Sequence, residues 1–245
     1  MCIKSVYHYL PALKAEKWRF NMTIDEKEVL KSILESISRI DYIKPEDIPS
    51  IPLYMEQVTT FMEEQLKSSR RYPDDKILTK TMINNYTKND LIPPPDKKKY
   101  SKEHLLLMIF IYYFKNILSI SDIQTLLHPI TDKYFHAKQN PDLISLYQEV
   151  FSLEQTQVDR MIKNILQSYH KAQHTFDDYP EEDQEFLHHF AFICMLSFDV
   201  YVKKQIIEKM VDQMSEKQKE KQKGSGKSGT KPSSKSNPKS GEHRR

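Results

Sequence analysis

Glycine is almost missing from this chain. Four of its 245 residues are glycine, Gly224, Gly226, Gly229 and Gly241, so residues 1–223 contain none. At the usual share of about 7% that stretch would hold roughly 15. Gly-rich phosphate loops, the dinucleotide fingerprint and the strained elbow of serine hydrolases need residues without a Cβ at fixed places, and all are excluded. Tight two-residue hairpins are also not expected, because their primed turns need positive φ at the central positions. Cysteine is equally scarce. Cys2 and Cys194 allow at most one bridge and no CxxC pair, which predicts a reducing, cytoplasmic setting and no thiolate metal cage. Long apolar runs are lacking too. The nearest, Phe190 to Val202, is interrupted by Asp199 and preceded by His188 and His189, so it reads as a buried helix and not a membrane span.

What remains is a mostly helical chain of 29.1 kDa, large enough for one large or two small domains. The formal net charge of +3 is unevenly spread. From Gly224 to Arg245 there are six Lys and Arg against Glu242 alone, which leaves the body slightly acidic at −2.

Residues 1–21 lack the features of a signal peptide and read as an upstream extension. Met22, followed by the capping box Thr23-Ile24-Asp25-Glu26 and by Leu30, Ile33, Leu34, Ile37 and Ile40 at helical spacing, is the expected physiological start. A Pro-containing loop, Pro45 to Pro52, leads to a helix bearing Val58, Phe61, Met62 and Leu66. A short helix then begins near Thr79, with Met82, Ile83 and Tyr86 inward, and stops before Pro93-Pro94-Pro95. Leu105 to Phe114 is almost wholly apolar and predicts a helix buried on most of its surface. Another helix runs from Ser119 or Ser121 to Pro129. Two more are expected around Leu143–Phe151 and Val158–Tyr169, and a last one from about Glu182 to Met214, long enough to suggest a paired helix. The division is 22–137 for an N-terminal domain, 138–215 for a C-terminal helical region, and 216–245 for a tail disordered on composition.

Charge concentrates between Lys67 and Lys102, where ten Lys and Arg face four acids. That is the footprint of a phosphate-facing surface. The short helix leaves Lys80, Thr81, Asn84, Asn85 and Lys88 outward, residue types that reach base edges and phosphates in the major groove. The plain alternative is a solvated surface with ordinary lysines.

The run LTKTMINNYTKNDLIPP (Leu78 to Pro94), the basic turn Lys97-Lys98-Lys99-Tyr100, Ser101-Lys102-Glu103-His104-Leu105, and Leu118-Ser119-Ile120-Ser121-Asp122-Ile123 with Leu126-Leu127 together resemble the DNA-binding half of MerR-type regulators. Residues 22 to about 215 resemble the YkrK-like domain of unknown function of low-GC Gram-positive bacteria. The MerR resemblance implies a winged helix-turn-helix over about 53–129. It departs where that family has glycine, at Asp90, Asp96 and Ile117. Asp tolerates the left-handed conformation better than most residues, so Asp90 is expected still to close its helix.

Other constellations are weaker. His170 and His174 sit four apart without an evident third metal ligand, and His188 and His189 fall on different helix faces. The acidic run Asp177 to Asp183 reads as a solvated loop and helix start. Gly226-Lys227-Ser228 lacks the rest of a phosphate loop, and the tail lysines read as solubilising or loosely nucleic-acid-binding. The resulting expectation is an all-α DNA-binding transcriptional regulator without cofactor, metal, membrane or catalytic role. Lys80, Thr81, Asn84, Asn85, Lys88, Lys97, Lys98, Lys99, Tyr100 and Lys102 would contact double-stranded DNA. A homodimer through the C-terminal helices is expected because half-site readers usually work in pairs, with an unidentified effector. The competing expectation is a helical protein-interaction scaffold with a degenerate helix-turn-helix.

Overall fold

A computed structural model describes residues 31–32, 43–138 and 141–225, without the side chains of 154–159 and 221–225. The expected start at Met22, its capping box and the glycine-containing tail beyond Ser225 lie outside the described residues. Over the described residues the fold is helical, with two strands of two residues each.

A 3₁₀ turn, Pro45–Asp47, leads into β1 (Leu53–Tyr54) and α1 (Met55–Leu66). The free Tyr54 amide at the head of α1 donates to Gln57 Oε1 at 2.9 Å, and Val58, Met62 and Leu66, four apart, are its buried side. The helix α2 (Lys80–Lys88) starts at Thr79, whose hydroxyl accepts the Met82 amide at 3.2 Å. Its end is a left-handed cap. Asp90 takes φ 51°, the Asp90 amide reaches the Thr87 carbonyl, and the Leu91 amide reaches the Tyr86 carbonyl at 2.8 Å. These are the paired bonds of a Schellman motif with aspartate in the glycine place, as the sequence leads one to expect.

The next turn overturns an expectation. Lys97 and Lys98 take φ 47° and 64°, and the Lys99 amide donates to the Asp96 carbonyl at 2.8 Å. Positive φ at both central positions makes this a two-residue primed turn built without glycine. Its strain is sustained because the following β2 (Lys99–Tyr100) is pinned antiparallel to β1, with Leu53 opposite Tyr100 and Tyr54 opposite Lys99.

The helix α3 (Lys102–Phe114) is buried continuously from His104 to Tyr112, as its long apolar run leads one to expect. The following α4 (Ile120–Tyr134) is capped by Ser119 and Asp122 and, contrary to expectation, continues through Pro129. Proline at that position deprives the Thr125 carbonyl of its helical donor. The Gln218 side chain supplies one instead, donating to that carbonyl at 3.0 Å.

Two long helices follow. Leu143–Ala172 forms a single helix, α5, where two were expected; no proline or glycine interrupts the polar stretch after Phe151. Its partner α6 (Glu181–Ser225) extends beyond the Met214 end expected for it, so 216–225 is helix and not tail. The main core gathers α1 to α4, the start of α5 through Leu143 and Tyr147, and Val211 of α6. A second, smaller core joins Ile162, Tyr169 and Ala172 of α5 to Phe192 of α6. The apolar stretch Phe190 to Val202 is therefore not a buried helix. Phe192 is its one buried residue, while Phe190, Ile193, Phe198 and Tyr201 are exposed.

Candidate nucleic-acid interface

Helical geometry divides α2 cleanly. Ile83 and Tyr86 enter the core, and Lys80, Thr81, Asn84, Asn85 and Lys88 are exposed. At 100° per residue those five span one outer face. The Lys80 ammonium is 2.7 Å from Glu56 Oε1 on α1. This hydrogen bond, reinforced by the charge of Lys80, holds the Glu56 carboxyl below its usual range. Lys80 therefore has a ready carboxylate partner, which sets it apart from Asn84, Asn85 and Lys88.

The C-terminal end of α2 is fixed from two sides. Gln124 of α4 donates its side-chain amide to the Asn89 carbonyl, and the Tyr100 hydroxyl lies toward Thr87, whose influence partly offsets the rise that burial gives the Tyr100 pKa. Through these contacts β2 and α4 pack against the end of α2.

Beside it stands the basic turn. Lys97, Lys98 and Lys99 are exposed, and Lys99 Nζ lies 5.1 Å from the ring centroid of Tyr54. Tyr100 departs from the expected set. Strand alternation puts it inward when Lys99 is outward, and it is only 3% exposed, edge-on to the His104 ring at 5.5 Å. Lys102 departs as well: its ammonium, partly buried, donates to the Pro45 carbonyl at 2.6 Å. Both residues hold the fold and do not face outward with the rest. Eight of the ten expected residues remain on the surface.

Behind this surface sits His104, the buried polar residue of α3. Its Nδ1 accepts the Ser101 amide at 3.0 Å, the role glutamate usually has in a capping box. Burial lowers its pKa to about 4, against an opposing pull from the Pro94 and Pro93 carbonyls. Nε2 closes no full hydrogen bond, so the ring is a neutral cap.

Elsewhere, His170 and His174 meet at 3.2 Å between their Nε2 atoms, and His188 lies against the Thr175 carbonyl at 2.9 Å. Among the described residues, no group of three or more His, Cys, Asp or Glu is placed to hold a metal ion. No helix among them is long and apolar enough to cross a membrane.

The sequence reading missed Glu56, Tyr54 and His104. A carboxylate 24 positions from its lysine carries no local signal, whereas the Ser-x-x-His spacing ahead of an apolar run could have exposed the cap.

Residues 43–151 match the family model described as Domain of unknown function (DUF1836). No curated protein and no solved structure gives a significant match. The matched stretch contains β1, α1 to α4, β2 and the start of α5, and so includes the whole of the surface described above.

Proposed function

We propose that this chain is a DNA-binding transcriptional regulator of MerR-like type, non-catalytic, cytoplasmic and homodimeric through its C-terminal helices. In this reading α2 lies in the major groove, with Asn84, Asn85 and Lys88 facing bases or phosphates and Thr81 between them on the same face. Lys97, Lys98 and Lys99 grip the neighbouring phosphates from the strained turn, which acts as a short wing. The observation that carries the reading is the single outer face of α2, composed of amides, a hydroxyl and lysines. Asn is suited to bidentate hydrogen bonding with adenine, and lysine to phosphate. Lys80 exchanges Glu56 for phosphate or remains paired. A protein-interaction scaffold is the second reading, favoured by the exposed apolar side chains of α6.

Fluorescence anisotropy with duplex DNA at several salt concentrations tests the proposal. The protein truncated after Ser225 is expected to bind, with log affinity falling linearly against log salt. Replacing Lys97, Lys98 and Lys99 by alanine should flatten the slope by about 0.9 per lost phosphate contact. Absence of binding at low salt overturns the DNA reading and favours the scaffold.

A further inference from the structure

The start of α6 is apolar on two opposite sides, and among the described residues only one of them is covered. On one side Phe192 is buried, with its ring edge-on to Tyr169 of α5 at 5.2 Å. On the other, Phe186, Phe190, Ile193 and Ser197 follow at steps of three or four residues, and Val200 and Tyr201, three and four beyond Ser197, complete one stripe. Its five large apolar members are between 52 and 70% exposed. The stripe ends where Ile207 and Val211 turn the same helix onto the main core.

Two features select the occupant. At roughly 100 Å² for each large side chain, the stripe and its flanks offer on the order of 600 Å² per molecule. Two such faces reach about 1,200 Å² in total, the lower end of stable specific interfaces. The charges flanking the stripe are opposite in sign. Asp177 to Glu185 contains six acids and no base, while Lys203 and Lys204 stand just past Tyr201. Among the described residues those lysines pair within the helix, Lys203 with Asp199 at 2.6 Å and Lys204 with Glu208 at 3.6 Å, exposed pairs of the kind that contribute little.

We infer that this stripe is the dimer interface: a second copy of α6 lies along it antiparallel, an inference that rests on the homodimer reading above and specifies its face and direction. The two-fold axis passes beside Ile193 and Cys194. Each Phe190 then sits against the small Ser197 of the other copy, and each Phe186 reaches Val200 and Tyr201. Asp183 of one copy comes level with Lys204 of the other. A parallel arrangement would instead stack the acidic segments on each other. The interface is isologous, as a closed dimer requires, and at its centre the large Phe190 meets the small Ser197.

The exposed thiol of Cys194 provides the test. In full-length protein carrying Cys2→Ser, oxidation by copper phenanthroline is expected to give a disulfide-linked dimer. Sedimentation equilibrium should give a dimer whose dissociation constant rises about 30-fold or more in Phe190→Glu. That residue is exposed, so an unchanged helical circular dichroism spectrum accompanies the loss. A monomer at 100 µM overturns both this interface and the homodimer reading. A dimer indifferent to Phe190→Glu, without a Cys194 crosslink, overturns this face alone. A monomer that loses thermal stability in Phe190→Glu assigns the stripe to a contact within the chain and likewise overturns the proposal.

Discussion

Gln218 repairs the backbone that Pro129 breaks. Its side-chain amide donates to the Thr125 carbonyl at 3.0 Å, the acceptor that a residue other than proline at 129 would have bonded within α4. One hydrogen bond thereby allows α4 to continue to Tyr134 and ties α6 to it. Gln218→Ala is expected to lower stability by about 1 kcal/mol, a fall in Tm of about 2–4 °C for a chain of this size. In a Pro129→Ala background the helix has its own donor, and the same substitution should cost almost nothing. Urea melts of the four proteins check the coupling. Equal losses in both backgrounds would refute the repair.

His104 makes stability depend on pH. Its folded pKa of about 4 lies below the ordinary 6.5 because burial penalises the charged ring. The folded state therefore prefers the neutral form. Its stabilising contribution is complete above pH 6.5 and is lost as pH falls toward 4. At 1.36 kcal/mol per pH unit, about 2 kcal/mol should disappear between pH 7.5 and 5. His104→Gln keeps a capping acceptor and removes the titration, so the difference between its unfolding free energy and that of the wild type should narrow or reverse over this interval. A constant difference would show that His104 does not titrate with folding.

The turn at Lys97 and Lys98 separates stability from binding. Both residues hold left-handed φ without being glycine, at a cost of roughly 1–2 kcal/mol each relative to glycine. Replacing the pair with Asn-Gly, the dipeptide best suited to a primed turn, is expected to stabilise the protein by about 1–2 kcal/mol. If the turn grips phosphate, the same variant should bind DNA more weakly, with a salt slope shallower by about 1.8. Stabilisation without change in binding would remove the turn from the interface.

Local signals make much of this fold legible in the sequence. The Thr79 cap, the inward Ile83 and Tyr86, the mostly buried α3 and the outward face of α2 follow from capping residues and helical periodicity. What local sequence concealed depended on distant partners. Nothing near Pro129 announces the donor at Gln218, so the helix was expected to stop there. The stretch between Phe151 and Val158 is polar, and polarity does not end a helix when no proline or glycine stands in it. Tyr100 is instructive for the opposite reason: the alternation of a two-residue strand was enough to turn it inward once Lys99 was placed outward.

The five exposed residues of α2 divide into two kinds of contact, and the division can be measured. Lys88→Ala removes a charge that any DNA sequence would meet, so it should weaken binding to all duplexes alike and lower the salt slope by about 0.9. Asn84→Ala and Asn85→Ala remove no charge, so their salt slopes should match the wild type. An amide that reads a base should cost about 1–3 kcal/mol against the preferred duplex and little against random DNA. The preferred duplex is first obtained by selection from a random pool with the wild-type protein. If both amide variants retain the wild-type preference, α2 lies outside the groove and the lysines provide only nonspecific adhesion. If one loses it and the other does not, the retained preference identifies the side of α2 that faces the bases.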